Sequence, residues 1–203
     1  AASYWYELVA LSTDAEACIH LPHLHKDSLQ GDSRVSDFFR PLGVTTIFAD
    51  EEVVLRKTQS EAADAVFRLD LSRQPDLAQT IAVTCAMQQR PFHLTGLQTL
   101  KIKETDRIEA LRRELKKLGC LLDEANASEL MFQPTAENAQ KPEQAPSIDT
   151  YDDHRMAMSF APCAGLFPGL RINHPEVVSK SYPGFWQDLQ SVGIKMETAP
   201  EHV

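Results

Sequence analysis

Three glycines constrain this chain more than any other feature. Gly43, Gly119 and Gly193 each close a helical pattern, and apolar residues follow at once: Leu42-Gly43-Val44, Leu118-Gly119-Cys120 and Val192-Gly193-Ile194. A glycine just past the last helical residue takes the left-handed C′ conformation without a steric penalty. The spacings are 76 and 74 residues, too long for a solenoid repeat. The chain therefore reads as three similar units, and its fold must accommodate that threefold period.

A more apolar helix precedes each of the three. The pattern predicts these helices at Ala2–Leu11, Leu77–Met87 and His154–Gly165, with strands at Ala17–Leu21, Phe92–Thr95 and Leu170–Ile172. Further strands are expected at Val53–Leu55 and Leu130–Phe132, and directly after each glycine. Alternating strands and helices imply an α/β domain. We expect one domain over residues 1–203, built of βαβαββ-like units at about 1–56, 64–132 and 147–198. The first unit starts at its helix, with no strand ahead of it, as expected of a cut chain.

Ala78, Ile81, Ala82, Cys85 and Ala86, and likewise Ala157, Phe160, Ala161 and Ala164, put small or apolar residues at helical spacing. Small residues permit close helix approach. The three apolar helices are thus expected at the centre, around a pseudo-threefold axis. The helix at 104–118 carries charge on most faces and is expected outside. Pro134–Pro146 reads as a polar surface loop.

Charge narrows the function. The net charge is −9, so the chain repels nucleic acid and anionic membrane unless a local patch intervenes. No apolar run approaches the ~20 residues that span a bilayer, and residues 1–12 lack a basic leader region. Cys18, Cys85, Cys120 and Cys163 show no metal-ligand spacing and read as buried thiols of a reducing cytoplasm. His20, His23 and His25 read as a solvated turn, with metal binding the sharper alternative.

Against this acidic background Lys101-Ile-Lys-Glu-Thr-Asp-Arg107 stands out. If a helix begins at Lys103, Lys103 and Arg107 lie four apart on one face and repel by about 0.2–0.5 kcal/mol unless an anion sits between them. A small anionic ligand at a helix N-terminus would supply it. Asp106 and Glu109 offer a local alternative, a merely solvated helix.

Lys103-Glu104-Thr105-Asp106-Arg107, Asp152-Asp153-His154-Arg155-Met156-Ala157-Met158 and Ser179-Lys180-Ser181-Tyr182-Pro183 together resemble the EPSP synthases, the 3-phosphoshikimate 1-carboxyvinyltransferases inhibited by glyphosate. Gln30-Gly31-Asp32 and Pro75-Asp76 are similar to that family too. The likeness runs in order through almost the whole chain. UDP-N-acetylglucosamine enolpyruvyl transferases share the fold but not these strings. The resemblance implies a two-domain enzyme, of which this chain looks like the C-terminal half.

The implied reaction transfers the enolpyruvyl group of phosphoenolpyruvate to the 5-hydroxyl of shikimate 3-phosphate, releasing phosphate, in the cytoplasm and with no cofactor. By resemblance, Asp76 is the candidate base, Glu104 the proton relay to carbon, and His154 a supporting group. Lys103 resembles the lysine that contacts shikimate 3-phosphate, and Arg107, Arg155 and Lys180 the cations around phosphoenolpyruvate. Arginine suits such ligands because its planar fork donates paired hydrogen bonds.

The residues alone leave other readings open. Asp76 also suits a helix cap, Glu104 a first-turn carboxylate, and Asp152–Asp153 a cap as well. Thr99 stands where many family members carry a shikimate-binding amide. The partners implied are two small anionic substrates and the absent half. The alternatives are a transferase acting on another acceptor alcohol and a non-enzymatic α/β binding domain.

Overall fold

The computed structural model describes residues 2–22, 34–50, 52–60, 65–103, 105–126, 128–137 and 142–197. Gln30-Gly31-Asp32, Glu104, His23 and His25 lie outside them.

The second unit shows the whole pattern. It runs β4 (Phe67–Asp70), the 3-10 turn Pro75–Leu77, α3 (Ala78–Met87), β5 (Phe92–Thr95), α4 (Arg107–Lys117), β6 (Asp123–Asn126) and β7 (Glu129–Phe132). The sheet order is β4-β5-β7-β6, with β4 and β5 parallel and the other pairs antiparallel. A parallel pair needs a crossover, and α3 supplies it. Alternation in β5 and β7 turns Phe92, Leu94, Leu130 and Phe132 to the core.

The first unit contains α1 (Ser3–Leu11), β1 (Cys18–Pro22), α2 (Val35–Phe39), β2 (Val44–Phe48) and β3 (Glu52–Lys57), an antiparallel sheet of order β1-β3-β2. The third contains β8 (Ser147–Ile148), α5 (His154–Phe160) continued as the 3-10 segment Ala161–Gly165, β9 (Arg171–Ile172), the 3-10 helix Pro175–Lys180 and α6 (Phe185–Ser191). β8 and β9 pair in parallel around α5, as β4 and β5 do around α3.

All three repeat glycines are left-handed, with φ of 88°, 85° and 99°. At Gly119 and Gly193 the paired bonds of a Schellman cap are present: Gly119 N–H to the Lys116 carbonyl and Cys120 N–H to that of Leu115, then Gly193 to Gln190 and Ile194 to Leu189. The expected strand follows directly only at Gly43. After Gly119 it is delayed to Asp123, and among the described residues none follows Gly193. There the described residues offer no ladder partner, and an apolar start alone forms no strand.

The apolar helices are central, as expected. α1, α3 and α5 pack against one another. Every residue of α3 from Ala78 to Ala86 is buried, as a helix enclosed on all sides requires. Three expectations need correction. The fourth helix begins at Arg107, not Lys103, because Asp106 caps it by accepting the Glu109 N–H. Its inner face carries two charged groups, Arg107 and Glu114, beside Ile108, Leu111 and Leu115, so its charge is not all outside. Cys18 is exposed, since it opens an edge strand, while Cys85, Cys120 and Cys163 are buried.

Candidate functional site

Asp76 sits in the tight turn between β4 and α3, just after Pro75. Proline presets the backbone for a helix start, and no side-chain cap forms there. The carboxylate is therefore directed away from its own helix. Its Oδ1 accepts from Arg107 Nη1 at 3.0 Å, with Lys103 Nζ at 3.8 Å, and its Oδ2 accepts from Arg155 Nη2 at 3.0 Å. Arg155 Nη1 also donates to the Asp76 carbonyl at 3.2 Å. The side chain thus does not cap its helix, and its carboxylate pairs with cations from other elements.

Arg107 is buried, with its side chain 2% exposed. It enters from the first turn of α4 and spans two carboxylates. Nε donates to Asp153 Oδ2 at 2.6 Å and Nη2 to Asp153 Oδ1 at 3.4 Å, while Nη1 reaches Asp76. Asp153 has no solvent exposure and also caps α5 by accepting the Arg155 N–H at 2.8 Å. A buried guanidinium is tolerated because its donors meet charged acceptors in good geometry.

The local alternative for the cations fails here. Glu109 turns forward along α4 to Arg112 and Arg113, at 3.0 and 2.8 Å. Its carboxyl is held below the usual range mainly by the Arg113 hydrogen bond. Asp106 is spent on the cap. Lys103 and Arg107 do not share a helix face, since Lys103 ends the preceding 3-10 helix Gln98–Ile102 in an extended conformation. Both meet instead at a carboxylate from another element.

Arg155 lies in the first turn of α5, near Tyr4 of α1. Burial raises the Tyr4 phenol well above its ordinary range, and the Arg155 guanidinium opposes that shift. His154 begins α5 and is half-buried. Lys180 is exposed at the end of the 3-10 helix Pro175–Lys180, which packs against α5. Thr99 is exposed in the 3-10 helix before Lys103. His20 pairs with Glu52 at 3.0 Å on the first sheet, and the described residues hold no cluster of metal-binding side chains. No helix among them is long and apolar enough to cross a membrane.

The structure thus joins Asp76, Lys103, Arg107 and Arg155 in one cluster. Asp153 is the member missed as a site residue, because next to a helix start an aspartate reads as a cap. The signal was its position two residues before Arg155. Chemically, a carboxylate 37% exposed can accept a proton from a hydroxyl presented to it, while the guanidiniums beside it can hold an anion.

Comparison with known proteins identifies the family and the fold. A sequence model of EPSP synthase (3-phosphoshikimate 1-carboxyvinyltransferase) matches residues 1–189. The 3-phosphoshikimate 1-carboxyvinyltransferase of Bacteroides fragilis is 49% identical over 203 residues, covering 99% of this chain and 47% of the relative. That of Shewanella pealeana is 34% identical, covering 82% and 37%. The EPSP synthase structure from Acinetobacter baumannii superposes with a TM-score of 0.69 at 20% identity, over 97% of this chain and 46% of that one. The enolpyruvyl transferase NikO from Streptomyces tendae superposes at 0.62 and 17% identity, over 98% and 44%. The chain spans about half the length of the curated relatives it matches.

Proposed function

The chain belongs to the EPSP synthase family, and from that premise we propose that it forms one half of an active site for enolpyruvyl transfer. The substrates are phosphoenolpyruvate and shikimate 3-phosphate, and the product phosphate leaves after addition and elimination. One observation carries the reading. Three family strings, at Pro75-Asp76, Lys103–Arg107 and Asp152–Met158, converge on the single carboxylate of Asp76.

The proposed roles follow from position and chemistry. Asp76 takes the proton of the attacking hydroxyl. Arg107 and Arg155 hold the anionic groups of phosphoenolpyruvate and stabilise charge as it develops. Lys103 meets the 3-phosphate, and Lys180 follows the leaving phosphate as a mobile point charge. Glu104 relays the proton to the methylene carbon, and His154 supports it. A second half, of the length seen in the relatives, completes the cationic pocket and excludes water. The two halves together do this work in the cytoplasm, without a cofactor.

Asp76 pairs with the same cations that are proposed to engage the substrate anions. Substrate must therefore displace Asp76 from at least one guanidinium, which frees an oxygen for base chemistry. Calorimetric titration with phosphoenolpyruvate tests the reading. Binding by the wild-type chain, lost in Arg155→Ala with the fold intact, supports it. Binding unchanged in that variant refutes it. Turnover by the chain alone is expected to be negligible, and efficient phosphate release by it would also count against the half-site.

A further inference from the structure

Arg107 is not the only charged side chain on the inner face of α4. Glu114, one heptad further on, has no solvent exposure. Seven residues place it about 10 Å along the same helix face. Its carboxylate is fully engaged. Oε1 accepts from the Tyr151 hydroxyl at 2.6 Å, and Oε2 accepts from the Asp149 N–H at 3.0 Å and lies 2.7 Å from Lys117 Nζ. Lys117 in turn reaches Asp149 Oδ2 at 2.8 Å and the Ser147 carbonyl at 3.0 Å.

Apart from the Glu114–Lys117 pair within α4, these bonds fall on the segment that leads into α5. At its far end Asp153 receives Arg107, from the same helix. Between the two anchors Tyr151 and Asp152 are both left-handed, with φ of 52° and 55°. Two successive non-glycine residues do not hold that conformation unless their surroundings impose it. Thr150, between the anchors, is buried. α4 thus grips segment 149–153 at both ends, with an unfavourable backbone stretched between.

We propose that Glu114 is a positioning residue of the site, holding Tyr151 and Asp149 so that Asp153 and Arg155 arrive in register with Arg107 and Asp76. It touches no reacting group. Its effect passes through the left-handed pair into the cap of α5. The phenol serves this well, since burial and the neighbouring Glu114 both raise its pKa and keep it a donor. The consequence for ligand binding rests on the function proposed above, but the geometric link between Glu114 and Arg107 does not.

The test follows the Arg107 Nε–H, which donates to Asp153 and is shielded from solvent. In an isotope-labelled chain its resonance and hydrogen exchange report the register directly. Tyr151→Phe and Glu114→Ala are compared with wild type, with inorganic phosphate titrated in parallel. Phe132→Leu, a core change in the second sheet, serves as a control for simple destabilisation. We expect Tyr151→Phe to stay folded, to exchange the Arg107 Nε–H at least about tenfold faster, and to bind phosphate about tenfold more weakly. The control leaves the resonance in place.

An unshifted, equally protected Nε–H in folded Tyr151→Phe overturns the proposal. If Glu114→Ala does not fold, Tyr151→Phe decides alone. Absence of phosphate binding by wild type would defeat the reading of the site, while the Nε–H readout would still judge this one.

Discussion

Asp76 and Arg107, 31 residues apart in the chain, meet at 3.0 Å with the guanidinium buried and the carboxylate partly open. The arginine is held from behind by Asp153, so the exposed partner in this pair is the acid. That asymmetry makes Asp76 the member that can move or exchange protons. Arg107 is fixed.

Asp76→Asn separates binding from chemistry. Removing the negative charge leaves Arg155 and Lys103 less neutralised, so inorganic phosphate binds the chain more tightly, by about tenfold. On the proposed function, the same change in a complex of the chain with its second half is expected to lower turnover by about 10²–10⁴-fold, the usual worth of a general base. Calorimetry and a phosphate-release assay check the two effects. Weaker phosphate binding would mean that Asp76 organises the cations rather than competing for them.

Arg107→Ala leaves Asp153 buried without its partner. Breaking such a pair costs about 3–5 kcal/mol, a large share of the 5–15 kcal/mol typical of a domain. Urea unfolding followed by circular dichroism should show the midpoint fall steeply.

Lys180→Ala is expected to behave in the opposite way. The side chain is exposed, so stability should stay within about 0.5 kcal/mol. On the role proposed for Lys180, phosphate affinity should fall, because one positive charge is lost. Unchanged affinity would place Lys180 outside the site.

Glu7 of α1 is wholly buried, and neither carboxylate oxygen has a hydrogen-bond partner among the described residues. Burial pushes its pKa well above the ordinary 4.5. The folded state therefore holds a proton that the unfolded state releases above about pH 4.5. Stability from this group is fully present below that pH and is lost as pH rises towards the raised value. Glu7→Gln removes the dependence. Its advantage over wild type should widen by at most about 1.4 kcal/mol per pH unit, measured as urea midpoints between pH 5 and pH 9.

The thiols should separate cleanly. Cys18 is exposed, 3.7 Å from His20 Nε2. Cys120 is pushed up to about 11 by burial, and burial raises Cys85 and Cys163 as well. An aromatic disulfide reagent should label Cys18 alone in the native chain and all four thiols in denaturant.

Much of the architecture was legible because it is written in local terms. Glycine at a helix end, small residues at helical spacing and alternating apolar strands act within a few positions, so Gly119, Ala82 and Phe92 read correctly one by one. That no strand follows Gly193 among the described residues was not legible, since a strand exists only where a partner offers a ladder. The start of α4 was misread for a related reason: Lys103 and Arg107 fit one helix face by number, but the Asp106 cap decides where the helix begins.

The sequence by itself determined the threefold period, the buried helices and the identity of most charged groups that meet at Asp76. Only the tertiary structure decided which cation is buried, that Asp153 holds it, and that Glu109 spends its charge along its own helix. Propensity and spacing are properties of neighbours in the chain. Charge pairing in a dry interior depends on which distant groups packing forces together, and in what geometry.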